Sequence, residues 1–235
     1  MEQNFNSDYS NDYPLEENEK ISMFDAWVDA LTSPNKETYE ELGNAKNASL
    51  LNGAVWVLLA TIVGGIVSSL LSLVFGTPEF AQLNDLLAES GTELPTAQIG
   101  ASALLMGLVC GVPISAISAA IGFAISTVIE NWIANLFGGK GSLDSYAFVN
   151  ASFYAPLTMV SSMLSPVPII GPMFVLLFGL YSMFLSFVAL RGVKQLSTGK
   201  AILVMLVPVI IVVLLFGCIM LVFGASLASY MQNYG

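Results

Sequence analysis

The chain contains no histidine. The commonest general base at neutral pH and the commonest transition-metal ligand are therefore missing. Cysteine is nearly absent too. Cys110 and Cys218 both lie in long apolar stretches, where a buried free thiol is the expected state, and a disulfide framework or a metal site would need more partners. Charge is just as scarce: 10% of residues, against about 25% in a soluble domain. No charged residue occurs over 47–78, 94–129, 145–190 or 201–235. The acidic excess argues against nucleic acid, which needs a basic face, and against a polybasic lipid-binding tail. No intramembrane pair of carboxylates and no Ser with a nearby Lys or His base is present. The expectation is accordingly no catalytic residue, no metal and no cofactor.

What remains is 55% hydrophobic residues and a mean hydropathy of +0.75. A bilayer-spanning helix needs roughly 20 apolar residues. Each charge-free block is long enough for one span and the third for two, divided where Pro166, Pro168 and Pro172 interrupt any continuous helix. The fold class predicted is an all-α integral membrane protein with five transmembrane helices, at about 49–75, 100–124, 146–164, 169–190 and 200–229, accompanied by amphipathic interfacial helices. Residues 1–20 read as a disordered acidic tail, 21–47 as a cytoplasmic amphipathic helical segment and 48–235 as the membrane domain. The acidic, polar start is not expected to be a signal peptide.

The seven basic residues orient this arrangement. Lys20, Lys36 and Lys46 precede the first span, Lys140 lies between the second and third, and Arg191, Lys194 and Lys200 lie between the fourth and fifth. The positive-inside rule then makes that side cytoplasmic, with the N-terminus inside and the C-terminus outside.

Residues 125–137 change character. Ile125, Val128, Ile129, Trp132, Ile133 and Leu136 fall on one helical face, and Ser126, Thr127, Glu130 and Asn131 on the other. The pattern predicts an interfacial helix after the second span, with Glu130 at the cytoplasmic rim. Solvation there is one reading of Glu130; a proton relay or partner contact is the other, with Asn150 within reach as a hydrogen-bonding neighbour. Ile21, Phe24, Trp27, Val28 and Leu31 mark a further amphipathic helix, which docks either on the membrane interface or a partner, or on this bundle. Ser33 is the expected cap of a second short helix starting at Pro34, and 77–99 is expected to hold a short helix on the outer surface. Small residues recur every four positions, at Ser118, Gly122 and Ser126, at Ala116, Ala120 and Ala124, and from Gly64 and Gly65 to Ser68 and Ser72. They let helices approach closely, within the bundle or in a homo- or hetero-oligomer.

The stretch Gly138-Gly139-Lys140-Gly141-Ser142 invites comparison with a phosphate loop. It lacks the hydroxyl after lysine, the first glycine and the preceding strand. A hinge is predicted instead: glycines end one helix, and Ser142 caps the next with Asp144 in its first turn.

Three segments together resemble the YIP-domain family, the Ypt/Rab-interacting membrane proteins. They are the Trp27 helix with "LTSPNKETYEEL", the stretch "WIANLFGGKGSLDSYAFVNASFYAPL" with Pro156, and "LYSMFLSFVALRGVKQLSTGKAILVMLVPVIIVVLL" with Pro208. The Asp-Leu-Tyr-Gly-Pro segment of the eukaryotic branch is not found before the first span, and the hinge resembles the prokaryotic branch. The resemblance implies a non-enzymatic membrane protein that binds small GTPases or other membrane proteins and organises membranes or vesicle traffic. Its membrane would be the cytoplasmic one in a prokaryote, or the Golgi or endoplasmic reticulum in a eukaryote. The expected contact residues are Phe24, Trp27 and Leu31, Glu130, and Arg191 with Lys194. The competing reading is a small transporter or channel subunit with a polar path near Glu130 and Asn150.

Overall fold

The computed structural model describes residues 20–75 and 105–234. The acidic tail 1–19, the 77–99 segment and the first residues of the second expected span lie outside the described residues. Those described form helices and no strand: α1 (Met23–Thr32), α2 (Lys36–Gly43), α3 (Leu50–Phe75), α4 (Val112–Leu136), α5 (Leu143–Leu164), α6 (Ile170–Gly192) and α7 (Thr198–Tyr234). A π-helical turn at Gly107–Gly111 leads into α4. Pro113 follows it and has no N–H to offer the ladder, so the backbone widens locally.

Among the described residues three helices are long and apolar enough to cross a membrane: α3, the continuous run Gly107–Leu136, and α6. Their outward faces carry exposed Leu59 and Val63, Ile117 and Ile121, and Leu176 and Leu180. Such surfaces suit hydrocarbon rather than water. α5 is not among the three, because it is the centre of the bundle. Residues 146–153 are buried without a break, polar Asn150 and Ser152 included. A helix enclosed by other helices has no need to be apolar all round. α3 runs along it. A Cβ on Gly53 would stand 3.0 Å from that of Ala147's neighbour Ala151, and one on Gly64 2.9 Å from the Met159 carbonyl oxygen. Trp56 meets Phe148 at 4.6 Å between ring centroids. The small residues of α3 and the Ala116–Ala120 stripe therefore serve packing in the bundle. Ser118, Gly122 and Ser126 are exposed.

α5 and α6 form the hairpin that the prolines foretell, turning through Ile169 at φ 66°. At the opposite end α1 and α2 cover α5 and α6. Tyr39 Oη donates to the Ala30 carbonyl at 2.9 Å and Tyr181 Oη to that of Leu31 at 3.0 Å. Asn47 exchanges two hydrogen bonds with the Ile21 backbone, 3.1 and 2.9 Å.

Several expectations need correction. The second short helix begins at Lys36 and not at Pro34: Asn35 Oδ1 accepts the Thr38 N–H at 2.8 Å, while Ser33 closes α1. Asn35 is the cap because its side-chain oxygen reaches the Thr38 N–H, whereas Ser33 ends α1 with its N–H on the Asp29 carbonyl. No break separates 124 from 125; α4 continues as one helix to Leu136. Its apolar face is mostly outward, with Ile125, Val128, Ile129, Trp132 and Leu136 exposed and Ile133 alone buried, while on the polar face Thr127 is buried, Glu130 and Asn131 are half-buried and Ser126 is exposed. Beside hydrocarbon the polar stripe seeks protein, and the apolar stripe stays outside. Cys110 and Cys218 are exposed on their helices rather than buried.

Candidate functional site

α4 turns Glu130 toward α5. Its Oε2 accepts a hydrogen bond from Tyr146 Oη at 2.9 Å. Tyr146 is fully buried, and Asn150 lies one turn further along the same face of α5. Asn150 is 5% exposed, and its Oδ1 has no hydrogen-bond partner. Glu130 and Asn150 open into a cavity of about 580 Å³ between four helices. α4 contributes Gly122 and Glu130, α5 Asn150 and Tyr154, α6 Met183 and α7 Pro208. Glu130 lies six residues from the end of α4, about 9 Å along the axis.

The hinge sits beside this cluster. α4 ends in a Schellman arrangement: the Gly139 N–H donates to the Ala134 carbonyl and that of Gly138 to Asn135, both at 2.9 Å, with Gly138 at φ 84°. Ser142 then caps α5 through the Ser145 N–H at 3.0 Å. Asp144 does more than favour its own helix, since its carboxylate accepts the Leu50 N–H at 2.9 Å and so caps α3.

Lys194 holds the hinge to the α6–α7 turn. Its Nζ donates to the carbonyls of Gly141 at 2.7 Å and Ser142 at 3.4 Å, and to Asn135 Oδ1 at 3.3 Å. In the other direction, the Lys140 N–H donates to the Lys194 carbonyl at 3.0 Å. The ammonium also lies 5.8 Å from the Tyr146 ring centroid, within cation–π reach. Lys194 is completely buried, and that burial lowers its pKa from 10.5 to about 8.

The expected contact residues divide accordingly. Trp27 and Lys194 are buried, and Leu31 is half-buried with its carbonyl engaged by Tyr181. Glu130 faces the cavity rather than bulk solvent. Phe24 is 67% exposed, and Arg191 is exposed with its guanidinium 5.7 Å from the Phe187 ring centroid. Gly138, Gly139, Lys140 and Gly141 lie in the turn between α4 and α5. Glu130 bonds to Tyr146 and not to Asn150. Tyr146 was the residue missed, although its position four before Asn150 on one helix signals a shared face. Among the described residues no group of His, Cys, Asp and Glu could hold a metal ion.

The sequence model of the Yip1 domain matches residues 28–219. No curated protein and no solved structure matches the chain.

Proposed function

The chain belongs to the Yip1 domain family, and from that premise we propose a non-enzymatic, five-span membrane protein that acts as an adaptor or membrane organiser in vesicle traffic. Its partners on the cytoplasmic face are other membrane proteins or a small GTPase. The observation that carries this reading is the family match across most of the chain, joined to an exposed contact face at the end where the basic residues gather. Phe24 and Val28 stand outward on α1, 67% and 56% exposed, on a helix whose other side is packed. Exposed apolar residues rimmed by charge suit a protein contact. Crosslinking-coupled pulldown from native membranes should recover a specific partner that is lost on Phe24→Asp, with thermal stability unchanged. Retention of every crosslinked partner in that variant would remove α1 as the contact face.

The five-span count completes the topology, with α5 enclosed and α7 as the last span. Support comes from helix ends within a few residues of those read from sequence for α3, α5 and α6, and from the contact of the Lys140 and Lys194 segments. Tags at the two termini, probed in sealed vesicles, should report opposite faces, with the N-terminus cytoplasmic. Both on one face would exclude an odd number of spans.

A second reading, a small transporter or channel subunit, draws on the cavity at Glu130 and Asn150. Solute flux in proteoliposomes that disappears on Glu130→Gln would favour it over the adaptor.

A further inference from the structure

The cavity between α4, α5, α6 and α7 has a wall of hydrogen-bond acceptors at Ser126, Glu130 and Asn150. Tyr146 spends its only O–H on Glu130. The hydroxyl of Ser126 donates to the Phe123 carbonyl at 3.0 Å, leaving its oxygen lone pairs toward the cavity it lines. Asn150 Oδ1 is buried with no donor at all. A buried acceptor without a donor is destabilising. Glu130 adds a carboxylate on the same wall. The nearest buried cation cannot serve it, because Lys194 directs its ammonium at Gly141, Ser142 and Asn135. The cavity thus presents three acceptor groups on one wall, one of them acidic, and the hydroxyls of Thr127, Ser182 and Ser186 in its lining can accept as well as donate. It is complementary to a small cation rich in N–H donors.

Size and surroundings narrow the occupant. A volume of about 580 Å³ far exceeds what a single desolvated ion fills and falls in the range of organic ligands. Above the polar wall the lining is apolar and aromatic: Phe123, Phe153, Tyr154, Met183, Met205 and Pro208. Exposed Ile121, Ile125 and Ile129 on α4 and Phe184 on α6 flank this region. These are residues that face hydrocarbon, so the mouth is reached from the bilayer. Glu130 lies about 9 Å and Ser126 about 15 Å inside the end of α4, so the carboxylate is at the headgroup end of the polar wall.

We propose that this cavity binds an aminolipid, with the primary ammonium of its headgroup hydrogen-bonded to Glu130, Asn150 and Ser126 and its proximal chain against the aromatic lining. The inference is independent of the adaptor reading. A quaternary ammonium carries charge without N–H donors and leaves Asn150 Oδ1 unsatisfied, which separates the two classes of headgroup.

The test uses the full chain purified in detergent and titrated with phosphatidylethanolamine or with phosphatidylcholine of identical acyl chains, read by thermal shift and by native mass spectrometry. Phosphatidylethanolamine should raise the melting temperature saturably and remain bound at one per chain; phosphatidylcholine should bind at least tenfold more weakly. Glu130→Gln should reduce the binding at least tenfold. Gly122→Leu supplies a variant that leaves the polar wall intact. A Cβ at Gly122 meets nothing within 4 Å and leucine favours the helix, so the fold should hold while the mouth is filled and binding is lost. Free ethanolamine should have no effect at matched concentration. Equal binding of the two lipids, binding unchanged by Gly122→Leu, or ethanolamine matching the lipid would each overturn the proposal.

Discussion

Replacing Gly141 with alanine should destabilise the protein by about 3 kcal/mol, more than the same change at either of the other hinge glycines. Two costs combine at this position. The backbone sits at φ 68°, where an ordinary L-residue gives up roughly 1–2 kcal/mol. A Cβ would also run into the backbone carbonyl oxygen of Val193, an atom that cannot rotate aside. The loop cannot retreat either, because Lys194 Nζ grips the Gly141 carbonyl and the Lys140 N–H grips that of Lys194. Gly138 is the internal comparison. Its φ of 84° imposes a similar conformational penalty, but its Cβ would meet only the tip of Lys200, at 3.6 Å. Gly138→Ala should therefore lose only about 1 kcal/mol, and Lys140→Ala, with an exposed side chain, should stay within about 0.5 kcal/mol. Gly141→Asn separates the two costs, since asparagine tolerates positive φ but keeps the Cβ. Melting temperatures in detergent decide the matter. Rescue by asparagine, or equal losses at 138 and 141, would show that close approach to Val193 is not what makes glycine necessary.

The hinge was legible because it is local. Glycine placement, Ser142 as cap and the missing phosphate-loop residues all lie within a few positions of one another. Helix existence was legible for the same reason, since charge-free length and proline interruptions mark α3, α5 and α6 directly. Direction was not. The alternating faces of 125–137 are plain in the sequence, but an amphipathic stripe does not say whether its polar side meets water or the protein interior. In α4 Thr127 and Glu130 turn toward the interior, and the apolar side, Ile133 excepted, is the exposed one. Lys194 was illegible for a related reason. Its neighbours in sequence form a basic turn that reads as surface, whereas its acceptors lie 52 to 59 residues earlier. Only the tertiary fold brings those oxygens to it. The Tyr146–Glu130 bond joins two helices across the hinge, and it becomes readable once the hinge is known to fold α5 back against α4.

Trp27→Ala should lose about 3–5 kcal/mol, whereas Trp27→Phe should lose far less. The sequence leaves the Trp27 helix either docking on a partner or packing on the bundle; in the fold the Trp27 side chain is 7% exposed, between fully buried Ala26 and Ala30. Truncation would leave a cavity under α1 that two flanking alanines cannot close. The indole nitrogen, though, earns no hydrogen bond: Nε1 is buried without a partner. Phenylalanine removes that unsatisfied donor and keeps most of the apolar contact, so the two effects offset each other. Phe24 packs its ring edgewise against Trp27, 5.6 Å between centroids, yet is mostly exposed, so Phe24→Ala should cost under about 1 kcal/mol. The loss in Trp27→Ala should be local before it is global. α1 is otherwise tied down by Tyr39 and Tyr181 bonds to the carbonyls of Ala30 and Leu31 and by Asn47 at Ile21. Once the indole is gone, α1 should lift first, raising hydrogen exchange over 23–32 while α3 and α5 remain protected. Partner capture would then fall in Trp27→Ala together with this protection, but in Phe24→Asp without it. If Trp27→Ala abolished capture with exchange in α1 unchanged, the indole would be a direct contact and its burial against the bundle would have to give way on binding.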